Sequence, residues 1–257
     1  MNSEWREHFL LWSQTDEFRR KLGEARDIIK QALSKFKKPY IAFSGGKDST
    51  ALMHMVLQHD DSITVVHWDY GPYFIPRPLE KEIIAIARKC GAKNLTVLTS
   101  SLYKKLGRAA QGVLGRHFIG VEVPRLVREG YDAAFLGLRA EEGVKRRLRA
   151  EKQREYDKGI TNIFPLASWT WRDVWAYIIA NGVPYLSSYY DKYAPILGYD
   201  KTRFVTLFDP EFDRFGSENV DKFIMWRHLN TISKNRNTLT SNKNENSNEK
   251  ISTATKK

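Results

Sequence analysis

Apolar positions first recur at helical spacing. Phe18, Leu22, Ala25, Ile28, Ile29 and Leu33 fall three or four residues apart, behind Thr15 or Asp16 as a cap, so the first 38 residues are expected to be helical. The pattern then changes. Tyr40-Ile41-Ala42-Phe43 is a short apolar run ending in Gly45-Gly46, which suits a buried strand and a tight turn. Residues 49–58 predict a helix, 63–68 a second strand, and 78–89 a helix closed by Gly91. A third strand over 95–98, a helix over 123–129 closed by Gly130, and a fourth strand over 133–138 follow. The strands lack two-residue alternation, so both faces of the sheet are expected to be covered. Strands alternating with helices then predict an open, doubly wound α/β fold with a mainly parallel sheet and helical extensions at both ends. Ligands of such folds bind outside the carboxyl ends of the strands.

Charge changes this picture in two places. The 257 residues carry a net +12. Residues 104–154 hold 13 basic and 6 acidic side chains, and residues 231–257 hold 6 and 2; the rest is nearly balanced. The final stretch, 238–257, is rich in Asn, Ser, Thr and Lys and has no aromatic residue, so it is expected to be a disordered basic tail. The expected organisation is a helical segment over 1–38, a nucleotide-binding domain over 39–234 and a tail over 235–257. The central basic block fits either a nucleic acid or a small polyanion. A single cysteine, Cys90, leaves no internal disulfide, no Cys-rich metal site and no iron–sulfur cluster within the chain, and suits a reducing, cytoplasmic setting. The first residues are too charged for a signal peptide, and no apolar run is long enough to span a membrane.

Candidate chemistry sits where the strands end. Ser44-Gly45-Gly46-Lys47-Asp48-Ser49 joins the first strand to a helix. Two glycines let the backbone approach a ligand, successive N–H groups and the helix N-terminus favour an anion, and Lys47 adds a full charge. The string is not the GxxxxGK[ST] loop. After the second strand comes Asp69, which suits a metal, a ribose hydroxyl or the backbone of its own turn. After the fourth come Gly137, Arg139, Glu141 and Glu142, then Arg146 and Arg147. Arginine forks suit phosphate or sulfate oxygens, and Glu142–Arg146 has helical ion-pair spacing. Further on, Thr170 caps a helix with Asp173 in its first turn and an apolar face of Trp171, Val174, Trp175 and Ile178.

Ser44–Ser49 resembles the PP-loop of the adenine nucleotide α-hydrolase superfamily. The Gly137–Arg147 run, Phe164 to Tyr185 with its Trp-Arg-Asp-Val-Trp core, and Asp69 resemble motifs of the phosphoadenylylsulfate (PAPS) reductase branch, in family order. The resemblance covers roughly 38–205. It implies an adenine nucleotide, ATP or PAPS, held by Ser44, Gly45, Gly46, Lys47, Asp48, Ser49, Asp69, Gly137, Arg147 and Arg203. It implies catalytic work for Lys47, Asp48, Arg139 and Arg146. Mg²⁺ would bridge the phosphates, with Asp48 or Asp69 as acidic contacts; no dedicated metal cage is visible.

One departure has mechanistic weight. Phe204 and Val205 stand where the family's reductases have Gly-Cys, and no cysteine follows Cys90. Attack on the sulfur of PAPS needs a thiolate. The leading expectation is therefore α–β phosphate cleavage or adenylyl or sulfur-linked transfer. Three alternatives stand beside it: PAPS reduction with a thiol supplied in trans, a non-catalytic nucleotide-binding subunit, and nucleic-acid thiolation. A partner subunit or a homodimer is compatible with each. His67 and His117 are candidate acid–base groups whose simpler role is structural.

Overall fold

The computed structural model describes residues 1–71, 75–106, 111–152, 154–157 and 159–204. They lie in one compact unit, Met1–Pro210; a second, Glu211–Lys257, lies outside the described residues, as do the expected domain end near 234 and the basic tail.

The N-terminal segment is helical as expected and forms two helices, α1 (Ser3–Ser13) and α2 (Asp16–Lys35). Thr15 divides them: its hydroxyl accepts the Phe18 N–H and caps α2. The α2 stripe buries Phe18, Ala25, Ile29 and Ala32. The alternating region follows as β1 (Pro39–Phe43), α3 (Lys47–Leu57), β2 (Thr64–Asp69), α4 (Arg77–Lys89) and β3 (Asn94–Thr99). Short helices α5 (Leu102–Leu106), α6 (Gln111–His117) and α7 (Val123–Arg128) lead to β4 (Ala133–Phe135), with a π-helical turn at Phe118–Glu122. A 3-10 turn (Ala140–Glu142) and α8 (Val144–Ala150) precede β5 (Arg154–Asp157) and β6 (Ile160–Ile163), then α9 (Trp171–Ala180) and α10 (Ser187–Leu197).

The sheet order is β3-β2-β1-β4-β6-β5. Five strands run parallel, and β5 pairs antiparallel with β6 at one edge. The doubly wound architecture is therefore as expected. Chain order reverses between β1 and β4: β1 proceeds outward to β2 and β3, whereas β4 lies on its other side. The crevice at such a switch point is where ligands of open α/β sheets bind.

The fourth strand is shorter than the expected 133–138. After Phe135, the Leu136 N–H still bonds to Ile163 O at 2.9 Å, and the chain then turns through Gly137. The sheet core is aliphatic and aromatic, with Ile41, Val65, Ala133, Ala134 and Phe135 fully buried. A second layer packs α1 against α9. Phe9 meets Trp175 at 6.1 Å and Tyr199 at 5.7 Å between ring centroids.

Candidate functional site

The loop at 44–46 is shaped by its own hydroxyls and by two constraints on side-chain size. Ser49 Oγ accepts the Ser44 N–H at 3.2 Å and donates to Gly46 O at 3.0 Å, and lies 3.0 Å from Ser44 Oγ. Gly45 has φ +81°, and a Cβ there would stand 2.6 Å from Ile83 on α4. Gly137, after β4, approaches the first turn of α3 so closely that a Cβ would meet Asp48 C and Ser49 N at 3.0 Å. Two loops on either side of the switch point are thus pressed together, which brings their charges together.

Lys47 is fully buried, and its Nζ lies 3.2 Å from Asp48 Oδ2. The other Asp48 oxygen accepts from Arg139 Nε at 2.5 Å. Arg139, also buried, continues to Glu141 Oε2 at 2.5 Å and to Glu142 Oε1 at 3.5 Å. Glu142 in turn pairs with Arg146 and, at 2.5 Å, with Arg203 Nη2. Four cations and three carboxylates therefore form one network beside the α3 N-terminus. Burial pulls the Lys47 ammonium below its ordinary range; the Arg139 and Arg203 charges act the same way, and Asp48 and Glu142 oppose them. Burial alone would raise the Asp48 carboxyl, but Arg139, Lys47 and Arg203 hold it well below the usual carboxylate range.

Of the residues expected at the site, Ser44 to Ser49, Gly137, Arg139, Arg146 and Arg203 come together. Arg147 is exposed on α8. Asp69 is engaged elsewhere: it accepts from Arg77 Nη1 at 2.7 Å and Nη2 at 2.9 Å, and from the Gly71 N–H at 2.7 Å. Burial would raise its carboxyl, but Arg77 and Gly71 hold it low. In this structure it organises its own turn. His67 bridges Phe43 O and Glu80 Oε1, each at 2.8 Å, and is buried between β1, β2 and α4. His117 stacks on Trp68. Neither histidine joins the network around Lys47 among the described residues. Cys90 is buried, which pushes its thiol up to about 12 and away from nucleophilic use.

The Glu142–Arg146 pair was legible from its spacing, but other roles were not. Glu141 and Glu142 stand in the quoted motif, but their role as holders of Arg139 and Arg203 depends on the fold. Tyr190, on α10, is fully buried and its hydroxyl accepts the Lys47 N–H at 3.0 Å. A tyrosine in an apolar helical stretch gives no signal of this beyond core packing.

The fold and site define an open parallel α/β protein with a cation-rich cradle at its topological switch point. The chain belongs to the phosphoadenosine phosphosulfate reductase domain family, whose model matches residues 38–204. Among curated proteins it is similar to sulfate adenylyltransferase subunit 2 of Mycobacterium sp. (strain JLS), at 29% identity over 210 residues, 69% of this chain and 66% of that one. The same-named protein of Mycobacterium tuberculosis (strain ATCC 25618 / H37Rv) is 28% identical over 65% of this chain and 63% of its own length. The chain thus spans just under two-thirds of these relatives. Among solved structures, the phosphoadenylyl-sulfate reductase of Candida auris in a phosphate complex shares the fold, with a TM-score of 0.50 at 20% identity, covering 73% of this chain and 91% of that one. Among the described residues, no helix is long and apolar enough to cross a membrane.

Proposed function

We propose that this chain binds an adenine nucleotide by its phosphates in the Ser44–Ser49 loop and promotes α–β phosphate cleavage with transfer of the adenylyl group, working with a partner subunit. The observation that carries this reading is the convergence of Lys47, Arg139, Arg146 and Arg203 beside the glycine loop and the N-terminus of α3. Such a cluster is built to gain an anion.

Each residue has a definite task. The loop N–H groups and the α3 N-terminus receive phosphate oxygens. Lys47 and Arg139 sit where charge would accumulate as pyrophosphate leaves, and being held by Asp48 and Glu141 they need little reorganisation when the reaction occurs. Arg146 and Arg203, fixed by Glu142, extend the cradle toward the far phosphates or an incoming oxyanion. The names of the curated relatives make sulfate the first acceptor to test. Both Asp48 oxygens are occupied by Lys47 and Arg139, and among the described residues no group of three His, Cys, Asp or Glu could hold a metal ion. Mg²⁺ would bridge the phosphates and travel with the nucleotide.

A panel of ATP, adenylylsulfate and PAPS, scored for binding and products with and without sulfate, tests the reading. Pyrophosphate release from ATP is expected. Thioredoxin-dependent sulfite release from PAPS would replace the reading with reduction by a thiol in trans. If Lys47→Ala binds ATP and PAPS as well as the parent does, the cradle is misassigned.

A further inference from the structure

A short C-terminal stretch lies against the loop. Phe204 O stands 3.3 Å from where a Gly46 Cβ would be, so residue 46 can carry no side chain while that stretch is docked without displacing it. Two tyrosines of α10 hold it. Tyr189 donates to Arg203 O at 2.9 Å, and its ring packs 5.3 Å from that of Phe204. Tyr190 accepts the Phe204 N–H at 3.3 Å through the same oxygen that accepts the Lys47 N–H at 3.0 Å. The docked stretch is what places Arg203 on Glu142.

The Tyr190 hydroxyl is unusual in its bonding. A phenol has one donor and two acceptor positions. Both acceptor positions are used, the residue is fully buried, and among the described residues nothing accepts its own hydrogen. Accepting two N–H bonds polarises the O–H and strengthens it as a donor. A buried donor without an acceptor is costly, and most are satisfied. This one accepts the first N–H of α3 and so lies beside the rest of that helix terminus, where an anion is favoured.

The geometry points to Tyr190 as a ligand-binding and positioning residue. Its hydroxyl donates to a phosphate oxygen of the bound nucleotide, and its oxygen ties the α3 N-terminus to the 203–204 backbone, so that filling the cradle and docking Arg203 are coupled. The inference rests on the nucleotide reading above and adds a dependence that the reading does not require. The coupling is one free energy shared by two groups, and is therefore visible as non-additivity.

The test is a double-mutant cycle on the full chain with ATP affinity as the readout. Tyr190→Phe keeps the ring and its packing on Trp175 and removes only the hydroxyl. It should weaken ATP about tenfold, the size of one charge-assisted hydrogen bond. Arg203→Ala should weaken ATP similarly, and the double variant should lose no more than about twofold beyond the worse single variant. Gly46→Ala is a second probe that leaves Tyr190 intact and presses on Phe204 O. It should mimic Arg203→Ala and be equally non-additive with it. Unchanged ATP affinity in Tyr190→Phe, or fully additive losses, would overturn the coupling and leave Tyr190 a packing residue. If Tyr190→Phe fails to fold, Tyr190 is a packing residue and the inference is overturned; the Gly46→Ala and Arg203→Ala cycle then reports only on how the 203–204 backbone docks. Insensitivity of ATP binding to Lys47→Ala would instead sink the nucleotide reading, so the two failures are distinguishable.

Discussion

Two buried acid–base clusters among the described residues, around Asp173 and around Lys47, are built to opposite ends. At the first, Asp173 is fully buried and saturated: Oδ1 accepts from Trp12 Nε1 at 2.7 Å, and Oδ2 accepts from Lys21 Nζ at 3.0 Å, the Thr170 N–H at 2.7 Å and the Thr170 hydroxyl at 2.9 Å. Burial would raise its carboxyl, but these donors hold it low. Lys21 also reaches Glu17 at 2.8 Å, so its charge is more than met. This cluster locks α1, α2 and α9 together and offers nothing to a ligand. The second, around Lys47 and Asp48, gathers four cations beside the glycine loop, and on the inference above its Tyr190 hydroxyl has a hydrogen to give. A saturated cluster holds the fold, whereas an unfinished one waits for a partner.

The largest expected effect strikes the lock. Asp173→Ala should cost about 3–5 kcal/mol in denaturant unfolding, because it strands a buried lysine and opens the α9 cap. ATP affinity of the molecules that remain folded should be near that of the parent. A large affinity loss there would dissolve the distinction between the clusters.

The mirror experiment is Lys47→Ala. It should weaken ATP about 100-fold, or about 2.7 kcal/mol, while leaving stability unchanged or raised, since a buried cation in a cation-rich cluster is removed. Loss of stability instead would make Lys47 a lock residue like Lys21. Next, Gly137→Ala should destabilise by about 1–3 kcal/mol, because a Cβ would press on the α3 backbone, and it should weaken ATP as well by parting the two loops. An affinity equal to the parent's would show that this close approach serves packing alone.

The smallest effect is a difference in sign with pH. The Lys47 pKa is lowered, so between that value and about 10.4 the unfolded chain binds the extra proton and stability rises with pH. ATP affinity should fall over the same interval as the charge is lost. The Lys21 pKa is raised because Glu17 and Asp173 outweigh burial, so its contribution is present below about 10.4 and is lost as pH rises through the folded value. Unfolding free energies of Lys47→Ala and Lys21→Met measured across this range should therefore depart from the parent in opposite directions.

The lock and the cradle differed in how openly the sequence displayed them. The Ser44–Ser49 loop, the arginines after β4 and the Thr170–Asp173 cap were legible because each is local: its chemistry lies within a few residues of its own backbone. Asp69 had its turn role among the readings the sequence offered, but its guanidinium partner, Arg77, lies eight residues on across that turn and was not legible. The hairpin partner strands β5 and β6 were missed, each being four residues long and lacking a run of apolar residues. The Thr15 cap that starts α2, by contrast, was legible because it too is local. Tyr190 was invisible for the strongest reason: its two donors come from residues 143 and 14 positions away in the chain.

That last separation has a consequence for the protein as it is made. The cradle draws on the loop after β1, the turn after β4, the first residue of α9 through Glu141 Oε2, the phenol of α10 and the backbone at 204. Synthesis proceeds at about 5–20 residues per second, and N-terminal parts can fold first. The β1–β2 region can therefore pack for many seconds before Tyr190 and Arg203 leave the ribosome. During that interval α3 has its loop but not its closure, so a nascent chain should hold nucleotide only weakly. Full binding becomes a late event in synthesis, reached when the last of the site's five pieces is in place rather than when its signature loop first folds.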